Sequence, residues 1–242
     1  MDEATRLHYL KLMGVDVWQP RFAPVLSAAE LTMPTEELDI CDVETLASIE
    51  PVMDIEQQWQ ILKTEVSQCT LCDLCKTRTQ TVFGTGNKNA DWLIIGEAPG
   101  QQEDEQGEPF VGVAGQLLTE MLRAMGLSRN EVFIANILKC RPPNNRDPHV
   151  DEIKHCEDYL QRQMDLVKPK IILAVGRIAA HTLLNTTTSL GKLRGVVHDY
   201  QGIPLVVVYH PAYLLRSLSE KRKAWQDLQF AKQTLVKLSC VD

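Results

Sequence analysis

The sequence predicts a three-layer α/β/α domain with a central four-stranded parallel sheet, and three observations carry that prediction. Four apolar runs have the length and composition of buried strands: Leu93 to Ile95, Val132 to Ile137, Lys170 to Val175 and Leu205 to Tyr209. A helical pattern follows each, over about 112–125, 149–167, 177–184 and 220–238. Strands that alternate with helices pair in parallel and are covered on both faces. There are no internal repeats.

Taken in order, residues 5–13 (TRLHYLKLM) form a short amphipathic helix pattern with Leu7, Leu10 and Met13 on one side and Gly14 as C-cap. Val15, Val17, Trp18 and Phe22 follow, and Pro20 and Pro24 bar a longer helix. Such an apolar string either folds back on the domain or docks on a partner, with Trp18 as anchor. Residues 25–54 are acidic, carry Pro34 and Pro51, and read as a largely disordered linker. The chain thus divides into a docking peptide (1–24), a linker (25–54) and a compact domain (55–242) that opens with the helical spacing of Trp59, Leu62 and Val66.

The first strand ends in Gly96-Glu97-Ala98-Pro99-Gly100, a turn that cannot continue it. An acidic loop follows as far as Pro109-Phe110. Leu117, Leu118, Met121, Leu122 and Met125 then mark a helix. Open α/β sheets bind ligands at the carboxyl ends of their strands, so this turn is the first candidate site. Asn136 ends the second strand and His210 the last. Each alone has a structural reading, a satisfied core amide or a helix terminus. Glu97, Asn136 and His210 together put three polar groups on one edge of a parallel sheet. Between them, Asp147-Pro148 predicts a helix start, with Asp as cap and Pro at the first position. Gly191 to Gly195 reads as a flexible basic loop, a solvated turn more readily than a phosphate contact.

Cys69, Cys72 and Cys75 stand as C-x-x-C-x-x-C, with Cys140 and Cys156 further on. Close thiolates grip a metal centre from one turn, and distant ones close it; four suit zinc as well as iron–sulfur. Cys41 and Cys240 lie in flanking segments and read as free.

The net charge of −7 argues against nucleic acid until the chain is split. Residues 1–60 hold three cations against twelve carboxylates, a net of −9, which leaves +2 for the rest. Basic clusters there, Lys139 to Arg146 and Arg216 to Lys223, are the local patches a phosphate backbone requires. No apolar run approaches the length of a membrane span and no signal peptide precedes the chain, which points to a cytoplasmic protein with no membrane partner.

Residues 60–240 resemble the family 4 uracil-DNA glycosylases, the iron–sulfur branch of their superfamily. The matching stretches are Cys69-x-x-Cys72 with Leu74, Lys76 and Arg78; Gly96 to Gly100 with Glu103-Asp104; Gly107 to Gly112 with Ala114-Gly115; Asn136, Lys139 to Pro143 and Asn145 to Pro148; Cys156 with Tyr159-Leu160; and His210 to Arg216. The resemblance implies a monofunctional hydrolase that flips uracil out of DNA and leaves an abasic site. It implies a 4Fe-4S cluster on Cys69, Cys72, Cys140 and Cys156, with Cys75 as a possible substitute for Cys72. It implies a uracil pocket of Gly96, Glu97, Ala98, Glu103, Phe110, Asn136 and His210. Phe110 would stack on the base, Asn136 read its edge, Glu103 exclude the thymine methyl and His210 bind O2. Glu97 is the candidate for handling the water, because Ala98 stands where relatives carry a polar residue. Arg141, Arg146 and Arg216 are the expected phosphate contacts, and Leu214 or Leu215 the expected wedge. The opening peptide is similar, over about 13 residues, to the psi subunit of bacterial DNA polymerase III. That implies docking on the clamp loader through residues 5–22 by a monomer, or a non-catalytic psi-like subunit that keeps the glycosylase fold. A zinc-bound nucleic-acid module is the third reading.

Overall fold

The computed structural model describes residues 54–239. The expected docking peptide and linker lie outside the described residues. The first helix among the described residues, α1, runs over Ile55–Gln68 and buries Trp59, Leu62 and Val66. A 3-10 turn at Asp73–Lys76 follows.

The sheet is mixed and has six strands: β1 (Thr85–Gly86), β2 (Trp92–Gly96), β3 (Val132–Asn136), β4 (Ile171–Val175), β5 (Val197–Tyr200) and β6 (Ile203–Val208). Their order is β1-β3-β2-β4-β6-β5. The inner four are parallel and are the four read from the sequence. The two edge strands are antiparallel additions. The sequence conceals both for physical reasons. A two-residue strand has no periodicity, and β5 (VHDY) is half polar because one of its faces meets solvent.

The inner strands are apolar throughout because both faces are covered. Leu93 and Ile95 of β2 pack towards α1, α4 (Val150–Val167) and α5 (Arg177–Leu183). Trp92 and Ile94 pack the other way, towards α3 (Val113–Ala124) and α8 (Lys221–Ser239). Between these lie three short helices: α2 (Gln101–Gln106), α6 (Leu190–Leu193) and α7 (Pro211–Arg216).

Three local expectations are corrected. The acidic stretch after Gly100 is helix α2. Helix α4 starts at Val150, with the His149 N–H donating to the Glu152 carboxylate at 2.8 Å, and Asp147 instead pairs with Arg177 at 2.6 Å. The 191–195 segment is no free basic loop: Leu193 is buried, and Arg194 pairs with the buried Asp227 at 2.5 Å.

Candidate active site

The carboxyl ends of β2, β3, β4 and β6 open on one side of the sheet and floor a cleft of about 800 Å³. Its lining includes Glu97, Ala98, Glu103, Phe110, Asn136 and His210. Chain reversal at that edge follows from β3 and β4 lying on opposite sides of β2, the arrangement that opens a ligand crevice.

Asn136 is 2% exposed, and its Oδ1 has no hydrogen-bond partner among the described residues. A buried carboxamide oxygen without a partner costs about 1–3 kcal/mol. Such a cost is retained where a ligand supplies the missing donor. Gly96 keeps the space beside it open. A Cβ on Gly96 would stand 2.4 Å from Asn136 Oδ1 and 2.6 Å from Phe110 Cζ. Gly96 contributes by this missing side chain; its carbonyl is taken by the Ile137 N–H at 3.0 Å.

Phe110 is buried and left-handed, with φ 54°. Two neighbours hold it there. Arg129 donates to Pro109 O at 2.7 Å and to Phe110 O at 3.2 Å. Gly115 leaves no gap for a Cβ, which would fall 1.8 Å from Phe110 O. Glu103 Oε1 accepts from the N–H groups of Val111 and Gly112, at 3.0 and 2.9 Å, closing the open end of α3. Asp104 is buried and accepts twice from Thr79 N–H at 3.0 Å, which ties the cysteine segment to this loop.

His210 caps α7: its Nδ1 accepts from Ala212 N–H at 3.2 Å. That bond leaves Nε2 as the protonated, donating nitrogen. Burial lowers its pKa to about 4, with Arg216 adding to the drop and Glu103 opposing it, so the ring is neutral near pH 7. Gly176, at φ 94°, gives it room; a Cβ there would meet His210 Cβ at 2.9 Å. Across the cleft, burial raises the Glu97 carboxyl to about 7; Asp147 adds to the rise and Arg177 opposes it.

The structure does not bring all the expected residues to the cleft. Leu214 is 1% exposed and belongs to the core, so it cannot wedge into DNA; its neighbour Leu215 is 39% exposed. Arg146 lines the cleft but spends both terminal guanidinium nitrogens on Glu152, at 2.9 and 2.5 Å. Arg141 donates to Asn145 Oδ1 at 2.7 Å, whereas Arg216 lies exposed on the rim. Sequence reasoning missed Arg129, Gly176 and Arg177. Gly176 ends a strand as Gly96 does, which was a usable signal; the two arginines gave none.

Cys69, Cys72, Cys75, Cys140 and Cys156 line a single small hollow, away from the cleft. Arg78 donates to Cys140 Sγ at 3.0 Å. Burial pushes the Cys156 thiol up to about 11 and raises Cys72 and Cys140, so these sulfurs keep their protons until a cation displaces them. Cys72 packs with Cys140 and Cys156 against Leu74 and Leu138, whereas Cys75 also borders an outer groove. Among the described residues, no three His, Cys, Asp or Glu side chains are gathered to hold a single metal ion.

Residues 83–229 match the family model described as the uracil DNA glycosylase superfamily. The chain is 46% identical over 159 residues to a type-4 uracil-DNA glycosylase of Archaeoglobus fulgidus, covering 62% of this chain and 80% of the relative. It is 40% identical over 186 residues to the type-4 enzyme of Thermotoga maritima, covering 75% of this chain and 97% of the relative. A type-5 enzyme of Pyrobaculum aerophilum is more distant, 30% identical over 147 residues, with 53% of this chain and 64% of the relative covered.

Proposed function

The chain belongs to the uracil-DNA glycosylase superfamily, among its type-4 members, and from that premise we propose that it hydrolyses the N-glycosidic bond of uracil in DNA. The single observation that carries the pocket assignment is the unpartnered, buried Asn136 Oδ1 beside the Gly96 gap.

Uracil inside a duplex must leave the stack before its bond can be reached, at a cost of a few kcal/mol. Phe110 stacks on the flipped base. Asn136 Oδ1 accepts from N3–H while its amide donates to O4. Cytosine reverses both groups and leaves the buried amide mismatched, which a hydrogen-bonding site rejects strongly. Glu103, fixed by two backbone N–H groups, stands where a 5-methyl group would enter. As the bond from N1 to C1′ breaks, its electron pair passes to the base. The His210 Nε2–H donates to O2 and stabilises that charge, and the neutral imidazole does so as a fixed hydrogen-bond donor that carries no net charge. Water adds to C1′, and ionised Glu97 takes its proton. Leu215 fills the vacated stack, and Arg216 contacts phosphate. No lysine attacks the sugar, so the strand stays intact.

The five-thiol hollow fits a 4Fe-4S cluster held by Cys69, Cys72, Cys140 and Cys156. A hollow ringed by thiols suits one thiolate per iron, and the half-buried Arg78 and the buried Lys139 offset the charge. Cys69, Cys72, Cys140 and Cys156 would hold the cluster, which would join the segment carrying Cys69 and Cys72 to the loop after β3 and to α4 and supply no step of the hydrolysis.

A uracil-containing oligonucleotide, treated with cluster-loaded protein and then alkali, tests the activity. Strand scission at uracil is expected; no abasic product from single-stranded or U·G substrate would refute it. A cytoplasmic monomer docking on the clamp loader through residues 5–22 is part of the same proposal. Deleting residues 1–24 should keep activity and abolish clamp-loader pull-down; a retained pull-down removes the tether. Among the described residues no helix is long and apolar enough to cross a membrane.

A further inference from the structure

Lys139 is 1% exposed, yet its ammonium takes no part in the hydrolysis proposed above. A buried lysine is uncommon and is retained for what its three donors hold. Here Nζ donates to the backbone carbonyl of Asn136 at 2.9 Å and to Gln163 Oε1 at 2.6 Å. Gln163 is fully buried and donates onward to Phe83 O at 2.8 Å. Gln163 lies seven residues after Cys156 on α4, two turns on and on the same face. Lys139 itself borders the cysteine hollow and precedes Cys140.

The segment between Asn136 and Lys139 is pinned on its other side too. Ile137 and Leu138 donate to the carbonyls of Gly96 and Glu97, at 3.0 and 3.1 Å. One four-residue stretch therefore joins the cysteine hollow to Gly96, Glu97 and Asn136. Its side-chain closure is the Lys139 bridge.

We infer that Lys139 is a positioning residue: through Asn136 O and Gln163 it locks the base-reading amide to the wall of the cysteine hollow. This rests on the uracil reading of the cleft. The carbonyl and the carboxamide of Asn136 share one Cα, so freeing the first lets the second turn. The amide must meet two atoms of one base edge, and a small rotation loses both bonds. The thiolates of a bound cluster would in turn supply the anions that a buried ammonium needs.

The test compares the affinity of iron-loaded protein for two single-stranded DNAs. One carries pseudouridine, whose C–C glycosidic bond resists hydrolysis; the other carries a tetrahydrofuran abasic analogue. Lys139→Met should lower the pseudouridine-to-abasic affinity ratio by about tenfold, the worth of one positioned hydrogen bond. Gln163→Leu, which keeps the lysine and all five thiols, should lower it in the same direction and carries the test if Lys139→Met does not fold. Lys154→Met, on the exposed side of α4, should leave the ratio unchanged. A ratio within twofold of wild type in the folded buried-site variants overturns the inference. Wild-type protein that cleaves uracil DNA but shows that result loses only Lys139's role. Wild-type protein with no preference for pseudouridine loses the uracil reading, and this inference with it.

Discussion

The imidazole of His210 lies 5.8 Å from the ring of Phe110, centroid to centroid, with the planes tilted by 33°. Both rings are fixed from behind, His210 by its cap on α7 and Phe110 by Arg129 and Gly115. Neither has to be organised when a base arrives, which is what makes a donor effective in the transition state.

Gly96→Ala tests whether a base enters beside these rings. The added methyl carbon would overlap both Asn136 Oδ1 and Phe110 Cζ, so both must give way, by up to about an ångström. Displacement of that size costs on the order of 100-fold in rate. The kcat/KM on single-stranded uracil substrate should fall by about that factor, while circular dichroism shows a folded protein. A variant within threefold of wild type would place the pocket elsewhere.

The pH profile of kcat/KM should rise with pH along a limb centred at about 7, since Glu97 acts only when ionised. His210, at about 4, is neutral across that range and adds no second limb there. Glu97→Gln should remove the limb and lower the rate by roughly 10²–10⁴-fold. Stability moves the other way. The folded pKa of Glu97 lies above the unfolded value of 4.5, so its contribution is full below 4.5 and is lost as pH rises through about 7. At pH 8 Glu97→Gln should therefore be more stable than wild type, by about 1–3 kcal/mol. Denaturant melts at pH 5 and pH 8 check this; an equal effect at both would contradict the linkage.

The cysteine set is tested by iron content. Cys72→Ser should give protein with little iron and no absorbance near about 400 nm, because Cys72 packs with Cys140 and Cys156. Cys75→Ser should remain brown, because Cys75 faces the outer groove as well. The reverse pattern would exchange their roles, and a colourless wild type containing zinc would remove the cluster.

Much of this was legible because buried parallel strands are apolar end to end and their helices repeat at 3.6 residues. Glu97, Asn136 and His210 were legible because each is a polar residue where an apolar run stops. What was illegible depends on partners distant in sequence. Nothing near Arg194 says that Asp227, 33 residues on, neutralises it. Glu152 lies only six residues after Arg146, but across a loop and a helix start where no periodicity pairs them, so each arginine looked like a free cation. Nothing near Arg129 says that it holds two carbonyls of the Phe110 loop. The short α2 was hidden because its carboxylates look solvated, whereas Glu103 and Asp104 both accept backbone N–H groups.

Leu214 and Leu215 give the sharpest contrast, since adjacent residues of identical chemistry point in opposite senses on α7. Leu214 is sealed in the core with Met121 and Leu228, and Leu215 is on the surface. Leu214→Ala should cost about 2–5 kcal/mol of stability by opening a cavity. Leu215→Ala removes no core contact and should leave the melting temperature within about 2 °C, as surface substitutions do. Its effect should appear in substrate choice. A wedge is needed to hold open a stack, so kcat/KM on duplex U·A should fall about tenfold or more, while activity on single-stranded uracil stays within twofold. An equal loss on both substrates would mean that Leu215 supports the pocket and does not enter the duplex.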